Sequence, residues 1–177
     1  MTNEELFLES VFNKKHRVYG FELKTLTLFH LGLLNALKNP IITGDRVKPK
    51  DVMSAALICS STNYDDFIRR SKGFAGYFMP LFNFEKQLSS FFAYYEDHMS
   101  LPNSLQTESS GKANPFPYVL TFLAKTIKET GYTFEYVFYK MPVGLIVWLN
   151  STFSYLESGE TDILDDKENQ FFQELTK

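Results

Sequence analysis

The residues able to do chemistry are few, and their spacing does not assemble a familiar catalytic group. Three histidines, His16, His30 and His98, stand far apart, with no HExxH pair and no second cysteine to complete a zinc set. His30 lies between Phe29 and Leu31 on an apolar stretch, the setting of a core histidine rather than a ligand. Cys59 is the only cysteine and closes the apolar run Ala55-Ala56-Leu57-Ile58, which suits a small buried hydrophobe in a reducing compartment. As a nucleophile it would need a base, and none is near in sequence. Asp65-Asp66 and Asp165-Asp166 are adjacent carboxylates, but helix neighbours point about 100° apart, so neither is an acid–base pair. Both suit the first turn of a helix.

The remaining signatures are equally plain. Gly73-Phe74-Ala75-Gly76 is glycine punctuation in an aromatic stretch, and no phosphate-cradling GxxxxGK[ST] or GxGxxG occurs. No GxSxG nucleophile turn and no DxDxDG calcium loop is present. Arg69-Arg70 and Lys72 could face phosphate, yet Asp65 and Asp66 lie one turn back and compete for them. The net charge of −3 carries no nucleic-acid footprint. The expectation is a protein without catalytic activity, cofactor or metal.

What must position these residues is a helical scaffold. Residues 4–12 put Leu8, Val11 and Phe12 on one helical face, an arm able to dock on its own domain or a neighbour. Residues 17–23 alternate weakly and allow at most one short β-hairpin. Leu28, Leu31, Leu34 and Leu37 recur at helical spacing behind a Thr25 or Thr27 cap, and Asn39-Pro40 stops them ahead of a loop over 41–46. Pro49 opens a helix to residue 59, and Thr62 with Asp65 resembles a capping box for the next. Leu81, Phe84, Leu88, Phe91, Phe92 and Tyr95 mark a long aromatic helix beyond Pro80.

Ser, Asn, Gly and Pro then dominate residues 101–116, a flexible linker between an N-terminal part (1–100) and a C-terminal part (117–177) that pack as one domain. Pro117 starts a helix that Gly131 ends, and Thr133 caps a short one through Tyr139. From Met141-Pro142 a helix apolar nearly all round runs to Gly159, which marks it and its Trp148 as the most buried. The fold class is therefore all-α, a compact multi-helix domain of about six to eight helices.

Eighteen Phe and ten Tyr are an unusual aromatic load, and a Phe-rich core is the commoner use of such rings, with partly exposed partner surface the other. Candidate partner-facing rings are Phe78, Phe82, Phe91, Tyr94, Tyr95 and the tail pair Phe171 and Phe172. Residues 1–50 carry eight Lys/Arg against five Asp/Glu, while 157–177 carry two against seven, an asymmetry that can orient head-to-tail self-association, although solvated ends are its commoner cause. The start Met1-Thr2-Asn3-Glu4-Glu5 is acidic where a signal peptide is basic, and the longest apolar run, Val143 to Leu149, is far short of a membrane span. The cytoplasm is the expected compartment.

One passage has a likeness. Leu26-Thr27-Leu28-Phe29-His30-Leu31-Gly32-Leu33-Leu34, Asn39-Pro40, Pro49-Lys50-Asp51-Val52 and Ala55-Ala56-Leu57-Ile58-Cys59-Ser60 resemble small helical proteins of phage and prophage tail-assembly regions. Tyr139-Lys140-Met141-Pro142-Val143-Gly144, with Trp148 and a helix ending at Ser158-Gly159, is similar to the C-terminal part of tail assembly chaperones. The resemblance implies a chaperone that holds the long helical tape measure protein until tail tube subunits displace it. A structural virion component, such as a tail-completion or connector protein, and a cellular helical adaptor or regulator remain as alternatives.

Overall fold

A computed structural model describes residues 2–11, 14–74, 83–99 and 117–158. Those residues form nine helices and one two-stranded antiparallel hairpin, an all-α domain. The linker and tail read from the sequence, with Phe78, Phe82, Phe171 and Phe172, lie outside the described residues.

The chain begins with α1 (Asn3–Val11), where the Glu5 carboxylate accepts from the Thr2 N–H at 2.8 Å and Thr2 Oγ1 accepts from the Glu5 N–H at 3.2 Å. Phe7, rather than Leu8, points toward the body of the protein; Leu8 is exposed. The hairpin pairs β1 (Arg17–Val18) with β2 (Phe21–Glu22) through a Tyr19-Gly20 turn with both residues at positive φ. This is the backbone demand of a tight hairpin turn, and Tyr19 meets it because its N–H donates to Gln87 Oε1 at 2.6 Å and its ring is buried.

Helix α2 (Leu28–Ala36) is capped at Thr27 and ends in a left-handed Lys38, with the Asn39 N–H reaching back to the Leu34 carbonyl at 2.9 Å. The expected loop over 41–46 instead opens with a helical turn, α3 (Pro40–Thr43). Asn39 explains it: Oδ1 caps Ile41 N–H while Nδ2 donates to the Asp51 carbonyl, both at 3.0 Å. Helix α4 (Pro49–Cys59) follows, with the Asp51 carboxylate capping Lys48 N–H. The cap of α5 (Tyr64–Phe74) is one residue later than the Thr62–Asp65 pairing expected. Asn63 Oδ1 accepts from Asp66 N–H, and Asp66 Oδ2 accepts from Thr62 N–H.

Helix α6 (Phe84–His98) turns Phe91 and Tyr94 fully inward against α4, so these two candidate partner rings are core residues. Phe84, Leu88 and Phe91 lie four and three apart, and continuing that stripe one turn brings Tyr94 inward and leaves Tyr95 half-buried. The C-terminal helices are α7 (Tyr118–Thr130), α8 (Phe134–Tyr139) and α9 (Val143–Ser158). Gly131 ends α7 in the left-handed conformation, and Thr133 Oγ1 caps α8 through Tyr136 N–H, as expected from the sequence.

The two parts share one core. Leu123, Val137, Met141, Val143 and Ile146 join Leu26, Leu34, Val52 and Ile58 in a continuous buried cluster. The Val143 N–H donates to the Leu26 carbonyl at 2.9 Å, and Thr27 bridges Pro142. The expectation that α9 is the most buried helix fails: Leu156 is 72% exposed and Trp148 half-buried. Helix α9 packs mainly on α7 and α1, whereas α4 touches α2, α3, α5 and α6 and buries six of its eleven residues.

Candidate protein-binding surface

Among the described residues, the helix with most exposed aromatic side chains is α8, flanked by Tyr132. Its sequence Phe134-Glu135-Tyr136-Val137-Phe138-Tyr139 holds four rings in six residues, more than one short helix can turn inward. Val137 takes the buried position. Tyr132, Phe134 and Tyr136 are then left 49%, 46% and 44% exposed. They are not loose rings. Phe134 stacks on Phe138 at 5.1 Å, Phe138 meets Tyr139 edge-on at 4.9 Å, and both contact the buried Phe29 of α2. Tyr132 and Tyr136 meet edge-on at 5.2 Å. A ladder of rings thus runs from the core to the surface, each ring held by its neighbour.

Beside this ladder is an open groove of about 860 Å³ between α8, the start of α2 and the α4–α5 turn. Its floor is Thr27, His30 and Ser61, all buried. The Thr27 N–H donates to His30 Nδ1 at 3.1 Å, which leaves Nε2 as the ring donor to the Ser61 carbonyl at 2.9 Å. His30 is therefore a capping residue of α2 and a tie to α4, and both ring nitrogens are bonded. Burial, which outweighs the Ser61 hydrogen bond, pushes its pKa down to about 4, so the imidazole is neutral near pH 7.

The walls are different. Lys24, held by its N–H on the Cys59 carbonyl, and Lys140 supply positive charge; Asp65 and Glu135 supply negative charge. Among the described residues none of these four side chains is in an ion pair. Tyr64 and Tyr139 add ring faces. On α8, Glu135 and Tyr139 share a face lying between those of Phe134 and Tyr136. Charged walls and aromatic shoulders therefore meet along one edge.

Elsewhere the fold brings together groups that the sequence keeps apart. His16 Nε2 lies 2.8 Å from Asp97 Oδ2, and its ring is 5.6 Å from Tyr94 and 6.3 Å from His98. Cys59 lies beside the Tyr94 hydroxyl. This cluster is poorly made for nucleophilic chemistry. Cys59 is inaccessible, and burial pushes its thiol up to about 12. His98 is buried with Nδ1 on the Tyr94 carbonyl, and desolvation lowers its pKa. Among the described residues no group of three His, Cys, Asp or Glu could hold a metal ion.

Arg69 and Arg70 both bond Asp66 Oδ1, at 2.6 and 3.0 Å, which takes up the pair that the sequence offers to phosphate. Partial desolvation would raise the Asp66 pKa, but hydrogen bonds from Arg69, the Thr62 N–H and Arg70 bring it to about 2. None of the described helices is long and apolar enough to cross a membrane.

Of the ring candidates taken from the sequence, Tyr95 is half-buried and Phe91 and Tyr94 are internal, while the exposed set on α8 was missed. The signal was available: four aromatics in six residues behind a Thr cap cannot all be core. No protein-family model, curated protein or solved structure matches this chain.

Proposed function

We propose that this chain binds a protein partner through the aromatic edge of α8 and the groove beside it, and that it serves as a phage tail assembly chaperone. The observation that carries the binding reading is the set Tyr132, Phe134 and Tyr136, exposed yet braced by stacked rings. Rigid amphipathic rings bury large area at little entropic cost, which is why Tyr and Phe anchor interfaces. The choice of partner rests on the likeness of segments within 26–60 to small helical proteins of phage tail-assembly regions, and of segments within 139–159 to the C-terminal part of tail assembly chaperones. On this reading the client is the helical tape measure protein, and the chain works in the host cytoplasm, self-associates and leaves before the particle matures.

Affinity capture of the tagged chain from the cell that produces it, with mass spectrometry of the captured proteins, tests this. The expected result is one long helical tail protein, captured by the wild type and lost with Phe134→Ser/Tyr136→Ser. That protein should appear in finished particles and this chain should not. Capture of tube or connector proteins, with this chain retained in particles, would replace the chaperone with a structural component. Capture of no viral protein would remove the phage assignment.

A further inference from the structure

We propose that the groove between α8 and the α4–α5 turn receives the flank of an amphipathic helix that carries charges of both signs, side by side with its apolar stripe. The inference rests on the protein-binding reading and names the chemistry of the partner.

The argument starts from the walls. Lys24, Lys140, Asp65 and Glu135 line one open space and pair with nothing among the described residues. An apolar occupant would strip water from four unpaired charges. A purely acidic segment would meet Asp65 and Glu135, and a purely basic one would meet Lys24 and Lys140. Only an occupant bearing both signs leaves no like pair unanswered. On a helix, acid and base four residues apart sit on one face, which is the arrangement that supplies both signs within a short length.

The floor favours a helix over an extended segment. The floor is already bonded within the fold: Thr27 and Ser61 both bond His30, and the Ser61 hydroxyl donates to the Leu57 carbonyl. A helix brings its backbone already bonded. The aromatic shoulders complete the match. With Glu135 and Tyr139 facing the groove, the exposed rings of Phe134 and Tyr136 on the neighbouring faces of α8 offer apolar surface next to it.

Three synthetic helical peptides test the proposal. All carry one leucine stripe; the first is flanked by Glu and Lys four residues apart, the second by Gln and Ser, and the third by Lys alone. Fluorescence anisotropy should show the first binding wild type about tenfold more tightly than the second, an advantage that shrinks as salt is raised. The advantage should vanish in Lys24→Gln/Asp65→Asn/Glu135→Gln/Lys140→Gln, whose helicity is checked by circular dichroism. In Lys24→Glu/Lys140→Glu the four wall charges become acidic, and preference should move to the peptide flanked by Lys alone. Equal binding of the first two peptides, binding of neither, or a preference that survives the neutralised groove would overturn the proposal. Capture of a partner that still depends on Phe134 and Tyr136 would then leave the protein-binding reading intact.

Discussion

At the scale of single residues, His30 shows how a group suited to chemistry is committed to structure. Its ring replaces the usual Glu or Gln of a capping box, accepting from the Thr27 N–H, while the opposite nitrogen bonds the Ser61 carbonyl. Both bonds require the neutral ring with the proton on Nε2. The folded pKa, about 4, lies below the ordinary 6.5, so the unfolded chain takes up the proton first as pH falls. Stability from this residue is therefore complete above about pH 6.5 and declines between there and pH 4, by about 3 kcal/mol in all. His98, also lowered, acts in the same direction. Asp66, depressed below 3.8, keeps its full contribution across that window and loses it only as pH falls further. Urea midpoints of wild type and His30→Gln at pH 7 and pH 4.5 check this. The variant should be weaker at pH 7 but lose less on acidification; equal pH slopes would show that the buried ring is not the group responsible.

At the scale of elements, the caps were legible and the facing of the rings was not. Thr27, Pro49, Pro117, Gly131 and Thr133 mark helix ends by local chemistry, and the structure uses each of them. Periodicity names a helix face but not the neighbour that covers it. Phe91 and Tyr94 read as free until α4 is set against them, and α8 is too short for any period to reveal its exposed side. The same reasoning applies to α1. Nine residues are too few to stay helical alone, so α1 depends on docking against α9 and α6, where Phe7 meets Trp148 edge-on at 5.8 Å. Trp148 is the only tryptophan, so its emission reports on that seat. Phe7→Ala should shift the emission to the red and cost about 1–2 kcal/mol, since the lost ring is only half-buried. An unchanged spectrum would mean that α1 does not rest on α9 in solution.

At the scale of the whole molecule, the decisive feature is that the described residues on either side of 101–116 share one core. Leu26 and Val143 are joined by a backbone hydrogen bond, Thr27 bridges Pro142, and Met141 and Ile146 lie in the same cluster as Val52 and Ile58. Neither part could keep its apolar surface covered if the other unfolded, so the chain should unfold in one cooperative step. Trp148 emission follows α9, while far-UV circular dichroism follows every helix; their urea transitions should coincide. Met141→Ala, at a fully buried position between α8 and α9, should move both transitions together by about 2–4 kcal/mol. Phe134→Ser/Tyr136→Ser should move them by no more than about 1 kcal/mol, because half-exposed rings have only part of their burial to lose. If the double variant proved as costly as Met141→Ala, the α8 edge would be core whose exposure is incidental. Loss of capture with the midpoint held near wild type separates a binding surface from a merely uncovered one.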